Sequence, residues 1–333
     1  MGRRTPHATL QMIADETGVT PSTVSRVLNS ASEASARRWA SAETIVRIRA
    51  AAASHGYTPN PQAVGLRTQR SRLIGVIVPR LQDYVLATIY EGIDEAATEK
   101  GFATFVTNSL DDPQKRARAT ETLLSRRVEG MIFGDAQFDG EFLQGVAERG
   151  MKFVLVSRRA RDFPSVTCDD HLGGRLVGEH LVSIGRRDVA ILAGVDVPPH
   201  RVVHGHFDAQ GGREAAERIL DSRPLPDAIF AANDFAAIGV MGALRDRKLS
   251  IPDDVALVGY NDTALTAELP TPLTTVRSPM HEIGRRGLEM LLDLLQGAEV
   301  EPLRLPPTLV VRESTVSAEA SRSAGTDGSG PSM

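Results

Sequence analysis

The chain reads as a small all-α head joined to an α/β core of two parallel-sheet lobes, and three observations predict that architecture. Two short helical patterns meet at Gly18 near the N-terminus. Basic charge is concentrated ahead of residue 73. From Leu73 onward, short apolar runs alternate with amphipathic helical stretches, the pattern of parallel sheets covered by helices on both faces. At 333 residues the chain has room for two or three domains.

In the head, Thr9 is a natural N-cap, with a hydroxyl to accept from the free amides of a first turn. Leu10, Ile13 and Ala14 recur at helical spacing, and Gly18 ends the helix because glycine takes a left-handed cap at little cost. Val19 fills the turn. Thr20 caps a second helix, with Pro21 at its first position, where the missing N–H costs nothing. Val24, Val27 and Leu28 form the buried stripe of that helix and leave Ser22, Thr23, Ser25 and Arg26 facing outward. Two helices joined in this way form a helix-turn-helix, whose second helix enters the major groove of DNA. The spacing also fits an ordinary all-α domain; the outward hydroxyls with one arginine favour DNA. A third helix fits Ala42–Ser54, capped by Ser41, with Ile45, Ile48 and Ala52 inward and Gly56 behind it. Asn29–Trp39 reads as a polar, alanine-rich loop, with Trp39 expected to pack under the third helix.

Charge supports the same division. Residues 1–72 carry ten arginines against four acidic groups, net +6, which leaves −10 for the rest of a chain whose total is −4. A basic head on an acidic body suits a phosphate-binding module carried by a soluble core. Cys168 is the only cysteine, so no disulfide forms within one chain, as expected in a reducing compartment. No apolar signal region or membrane-length stretch is evident, and the cytoplasm is the expected location.

The segment Tyr57–Thr68 reads Y-T-P-N-P-Q-A-V-G-L-R-T. Asn60 can cap and Pro61 can start a short helix ending near Leu66. One or two turns are not stable alone, and Gly65 within them costs about 1 kcal/mol relative to alanine. The segment should therefore order only against something else. An apolar Leu66 beside Arg67 suits a wedge pushed between base pairs from the minor groove.

The stretch V-T-P-S-T-V-S-R-V-L-N (Val19–Asn29), the Y-x-P-N-x-x-A-x-x-L segment and the core behind them resemble the LacI/GalR family of bacterial repressors over roughly residues 9–315. The resemblance implies a periplasmic-binding-protein-like core and a homodimer that represses transcription from near-palindromic operator DNA. It implies a small-molecule effector, a sugar or sugar derivative, in the cleft between the lobes, and no membrane partner. Neither a cofactor nor an enzymatic activity is expected. The DNA contacts it implies are Thr20, Pro21, Ser22, Thr23, Ser25, Arg26 and Asn29 in the head, and Asn60, Ala63, Leu66 and Arg67 in the hinge. The expected organisation is a head over 1–58, a hinge helix and linker over 59–70, a bilobed effector-binding and dimerisation core over 71–316, and a disordered, small and polar tail over 317–333. The chain departs from the family at Met12, where an acidic residue usually closes a capping box, and in a longer Ser30–Trp39 loop.

In the core, strands are expected at Leu73–Val78, Ala103–Thr107, Gly130–Phe133, Phe153–Val156, Ser165–Cys168, Val189–Ala193, Val202–His206, Ala228–Ala231 and Val255–Gly259. Helices are expected near Tyr84–Lys100, Pro113–Arg126, Glu141–Arg149, Gly173–Ile184, Gly212–Leu220, Ala236–Arg247 and Met280–Leu295. Ligands of open α/β sheets sit at the C-terminal strand ends, which in a two-lobed clamp is the interlobe cleft. The resemblance places Val85, Leu86, Ser157, Phe207, Asn233 and Asn261 there as effector contacts. Ser157 and Asn261 stand where the family commonly has aspartate, which weakens the case for a sugar gripped by paired carboxylates.

The largest departure is a gap. After Val189–Ala193 the family has a long helix, whereas here only eight residues, Gly194–Arg201, precede the next strand. Eight residues reach at most about 28 Å, enough to link strands but short of the dozen or more a helical crossover needs. The second lobe is therefore expected to lack a helix and to expose apolar surface, with effector binding impaired or that face covered by a partner.

Weaker signals point elsewhere less well. His200, His204, His206 and Asp208 lie close in sequence, but zinc needs three or four ligands converging on one point, and no metal site is expected. Gly173-Gly174-x-x-x-Gly178 lacks the full dinucleotide-loop spacing and suits helix packing. A solute-binding receptor would account for the core but not for the basic head, and no catalytic set supports an enzyme. A regulator that binds DNA without responding to ligand remains the main alternative.

Overall fold

A computed structural model describes residues 8–30, 32–57, 70–135, 140–161, 163–193, 202–204, 207–222 and 224–316. The expected hinge with Asn60, Ala63, Leu66 and Arg67, the link over 194–201, His206 and the 317–333 tail lie outside the described residues. The chain divides into two compact units, 1–72 and 73–333.

The first unit is helical: α1 (Leu10–Thr17), α2 (Pro21–Leu28), α3 (Glu33–Ala36) and α4 (Ala42–Ser54). Its punctuation follows the sequence. Thr9 Oγ1 accepts from the Met12 amide at 3.3 Å, Gly18 takes φ +69, Thr20 Oγ1 accepts from the Thr23 amide at 3.2 Å, and Ser41 Oγ from the Thr44 amide at 3.3 Å. Val24 and Val27 of α2 close on Ile13, Ala14, Ile45, Ile48 and Ala52 to form one small core. Two expectations need correction. The Asn29–Trp39 loop contains α3, capped by Ser32 and anchored by buried Ala36; four residues are too few to register as a periodicity. Trp39 is not packed beneath α4 but stands 46% exposed.

The second unit has two six-stranded sheets. Sheet A runs β11 (Leu303–Leu305), β5 (Ser165–Cys168), β4 (Phe153–Val156), β3 (Gly130–Phe133), β1 (Leu73–Val78), β2 (Ala103–Asn108), all parallel. Sheet B runs β12 (Thr308–Val310), β10 (Thr274–Arg277), β9 (Ala256–Tyr260), β8 (Ala228–Ala231), β6 (Val189–Ala193), β7 (Val202–His204). The helices between them are α5 (Tyr84–Glu99), α6 (Pro113–Ser125), α7 (Gly140–Glu148), α8 (Asp170–Ser183), α9 (Ala209–Asp221), α10 (Asp234–Asp246) and α11 (Met280–Leu295). In lobe 1, α5 and α11 cover one face of sheet A, and α6 and α7 the other.

Sheet B is mixed, not purely parallel as expected, because β12 pairs antiparallel with β10. The reason is connectivity. Strands of sheet A run toward the other lobe, and β11 leaves sheet A at that end. After Pro306 and Pro307 it enters sheet B, so it must run against the strands that approach from the far side. Strands β10, β11 and β12 were not legible in the sequence, since each has three or four residues and takes its place from its partners.

The link between β6 and β7 lies outside the described residues, and the bare face expected of lobe 2 is corrected by α8. Ala190, Leu192, Ile229 and Ala231 are buried under α9 and α10. On the opposite face, Val177 and Leu181 of α8 bury Ala228, Ala256, Val258 and Val276. Val189 and Phe230 pack half-buried against that cluster, and Ile191 is half-buried. The glycine run at 173–178 is corrected: Gly174 and Gly178 have nothing within 4 Å of an added Cβ, whereas one on Gly173 would stand 2.6 Å from Tyr260 Oη.

Two helix pairs cross in near contact. An added Cβ on Gly92 would strike the His281 carbonyl, and one on Gly284 the Ile89 carbonyl, so α5 and α11 meet backbone to backbone. Gly284→Ala should therefore overpack the crossing and destabilise the core by about 1–3 kcal/mol in denaturant unfolding; unchanged stability would contradict this packing.

Candidate DNA-reading helix and interlobe cleft

Helix α2 is eight residues long, so it spans about 12 Å. With Val24 and Val27 locked inward, Ser22, Arg26 and Asn29 are exposed and Pro21, Thr23 and Ser25 partly so. Thr20 is exposed and committed to its cap. Asn29 closes the other end by donating from Nδ2 to the Ser25 carbonyl at 2.7 Å. The hydroxyls and Arg26 thus share one face of a short helix capped at both ends. The Arg26 guanidinium carbon lies 4.3 Å from the centroid of Trp39. That stack gives the exposed tryptophan a role sequence reasoning missed: it orients the arginine on the exposed face of α2. No periodicity signals it, since the two residues belong to different elements.

In the core, the chain passes between the lobes between β5 and α8, between β10 and α11, and between β11 and β12. The C-terminal strand ends of both sheets face this boundary. On the lobe 1 side lie the residues after β1, β2, β3 and β4. Asp83 caps α5 by accepting from the Val85 amide at 2.9 Å, which leaves Val85 half-buried at the rim. Leu86 is a correction: at 2% exposed it joins Ile89 and Ile93 in the lobe core, because that cap turns 86, 89 and 93 onto the inner face of the helix. It does not line the cleft. Ser157 takes φ +55, and its carbonyl accepts from Arg158 Nη1 at 2.8 Å.

Arg158 is the main residue that sequence reasoning missed here. Burial pulls its pKa down, opposed by Asp111, Asp83, Asp135 and Asp170 around it. Its only sequence signal was the arginine-rich run after β4. Asp135 is itself buried and paired with Arg116 (Nε–Oδ2 3.1 Å), and the Ser109 hydroxyl acts on it as a further donor. Burial raises its carboxyl above the ordinary range despite the Ser109 hydroxyl and Arg116. The lobe 1 rim therefore offers a half-buried guanidinium close to a buried carboxylate.

On the lobe 2 side, Phe207 stands 54% exposed, and its carbonyl accepts from Asn233 Nδ2 at 2.8 Å. Asn233 Oδ1 caps α10 by accepting from the Ala236 amide at 2.8 Å. Asn233 therefore works first as a brace for Phe207 and the helix start. Asn261 (φ +105) and Asp262 (φ +54) follow β9 in left-handed backbone, which Asn and Asp tolerate better than most residues. Asp262 is held by Arg277 (2.6 Å) and Arg312 (2.8 Å); burial opposes its charge, but these bonds prevail and lower its pKa. Tyr260 Oη donates to Asp170 Oδ1 at 2.8 Å and lies 3.4 Å from Cys168 Sγ, joining sheet B to the first crossing. The structure thus brings Val85 and Ser157 to one side of the boundary and Phe207, Asn233 and Asn261 to the other. Among the described residues no group of three or more His, Cys, Asp or Glu could hold a metal ion, and no helix is long and apolar enough to cross a membrane.

A helix-turn-helix ahead of two α/β lobes joined by three crossings defines a DNA-binding transcription regulator. Family comparisons agree. Residues 9–60 match the bacterial regulatory proteins of the lacI family, 71–201 the periplasmic binding proteins and sugar binding domain of the LacI family, and 155–315 a periplasmic binding protein-like domain. The chain belongs to the LacI family. It is 28% identical to the HTH-type transcriptional regulator DegA of Bacillus subtilis, covering 92% of this chain and 98% of that protein. It is 26% identical to the ribose operon repressor of Escherichia coli over 92% and 98% of the two chains. Among solved structures, the lac repressor dimer bound to operator and the anti-inducer ONPF superposes with TM-score 0.84 at 28% identity, covering 93% of this chain and 99% of that one. The complex of the transcriptional regulator CelR with cellobiose gives 0.66 at 26%, covering 92% and 99%.

Asp234, the first residue of α10, has its own titration signature. It is fully buried and accepts from the Thr263 amide (2.7 Å) and Thr275 Oγ1 (2.6 Å). Burial outweighs those bonds and pushes its pKa up to about 6 from an ordinary 3.8. Between these values the folded protein holds more protons than the unfolded chain, so this group's contribution to stability falls as pH rises through the window. Asp234→Asn should flatten that slope in urea unfolding measured from pH 4 to 6; an identical slope in both proteins would contradict the assignment.

Proposed function

We propose that this chain is a repressor that reads a near-palindromic operator as a homodimer and releases or tightens on it when a small molecule, a sugar or sugar derivative, enters the interlobe cleft. The observation that carries the reading is Arg26, held on the solvent face of α2 by the Trp39 ring. Thr20, Pro21, Ser22, Thr23, Ser25 and Asn29 surround it as base and phosphate contacts. The hinge, over 59–70, orders on DNA, with Asn60 and Ala63 in its helix, Leu66 as the minor-groove wedge and Arg67 beside it. Action on DNA makes the protein a cytoplasmic one. For the effector, the half-buried Arg158 guanidinium and the exposed Phe207 ring suit a hydroxylated ring that stacks on one lobe and accepts from the other. Val85, Ser157, Asn233 and Asn261 complete the contacts. The ribose operon repressor and the CelR–cellobiose complex among the relatives support a sugar.

A second reading is favoured by one observation. Only eight residues separate β6 from β7 in the sequence, fewer than a helical crossover needs, and Ile191 on β6 is half-buried. In that reading the chain binds DNA but has lost its ligand response.

Operator binding by the full chain at fixed salt tests the proposal. Arg26→Ala should weaken affinity about ten- to a hundredfold, and Trp39→Ala about two- to fivefold, as loss of an exposed cation–π stack implies. Phe207→Ala should leave effector-free binding unchanged and remove any response to ligand. Wild-type affinity in Arg26→Ala would overturn the head assignment; a wild type indifferent to every sugar tried would favour the second reading.

A further inference from the structure

Lobe 1 carries a pocket whose lining shares no residue with the contacts proposed for DNA or effector. It opens on the outer face of sheet A beside α7, with a volume of about 820 Å³. Its floor is β5 and β11, the two strands that α6 and α7 leave uncovered. Strand alternation sends Val166 and Cys168 into the core beneath α11 and turns Ser165 and Thr167 to the pocket face.

Three features make it an anion site. Arg159, Arg161 and Arg304 line it, all exposed, and none has a hydrogen bond or ion pair among the described residues. Against these three guanidinium groups stands one carboxylate, Glu141, an excess of two positive charges. The N-terminus of α7, nine residues long, forms the adjoining wall through Gly140 and Glu141. A Cβ on Gly140 would collide with Arg161 Nε, so the glycine lets that guanidinium lie against the first turn. Amides of a first turn have no intrahelical acceptor and favour an anion. The third feature points to a ligand by itself. Thr167 is only 6% exposed, lines the pocket, and its Oγ1 has no hydrogen-bond partner among the described residues. A buried hydroxyl without a partner is costly, and native proteins keep few of them.

From this arrangement we infer that the pocket binds a phosphate monoester of a small molecule. The phosphoryl oxygens would meet Arg159, Arg161 and Arg304 and accept from Thr167 Oγ1. The organic part would lie on Ala160, Pro302 and Leu303, which supply the apolar lining. The volume greatly exceeds that of a bare phosphate, which favours an ester over the free ion.

The test is calorimetric titration of the full chain with phenyl phosphate, inorganic phosphate and phenol. Phenyl phosphate should bind saturably, one per chain, and phenol should not. Arg304→Ala, at an exposed strand position, should weaken binding at least tenfold. Thr167→Val keeps the shape, removes the unpartnered hydroxyl, and should also weaken binding about tenfold without lowering the melting temperature of the unliganded protein. Phe207→Ala should have no effect. Inorganic phosphate binding as tightly as the ester would identify the free ion as the ligand and still support the site. No saturable binding of either phosphate, wild-type affinity in Arg304→Ala, or loss of binding in Phe207→Ala would overturn it.

Discussion

The core depends on one geometric constraint: its two sheets meet through their C-terminal edges, and the chain crosses between them three times at that edge. A segment leaving one sheet at its C-terminal edge and passing directly into the other must run antiparallel there, as β12 does. A segment that instead joins by a helix can enter parallel, as happens through α8 and α11. The same edge collects every loop that follows a strand, so polar and left-handed residues from both lobes gather there without belonging to one motif. Tyr260, braced on Asp170 at the first crossing, and Asp262, braced by Arg277 and Arg312 near the second, tie these loops to the crossings themselves.

Charge within that edge is arranged by burial more than by pairing. Among the described residues Arg158 has no carboxylate hydrogen-bonded to it, yet four aspartates surround it. Asp135 is bound to Arg116 with the Ser109 hydroxyl as a further donor, yet burial still raises its pKa. Such groups are costly to keep dry. A ligand supplying hydroxyls would accept from Arg158, which links the energetics of the site to the class of molecule proposed for it.

How much was legible in the sequence depends on how local the determining interaction is. The caps at Thr9, Thr20, Ser41 and Gly18 act within four residues, and the head's three main helices were readable to within a residue. The long central strands were readable because continuous apolar runs suffice for them. Strands β10 to β12 were not, since their pairing is set by partners far along the chain. Leu86 was misplaced because the Asp83 cap sets the rotation of α5, and Trp39 because its partner Arg26 lies in another element. Arg158 and Asp135 were passed over because desolvation, which makes them notable, has no sequence signature.

The central claim is that α2 reads DNA and that two copies read it together. It is tested most directly by selecting binding sites for the full chain from a pool of random duplexes. The account predicts enrichment of one near-palindromic sequence, with half-sites about one helical turn apart. Enrichment of no sequence, or of a single asymmetric half-site, would contradict it.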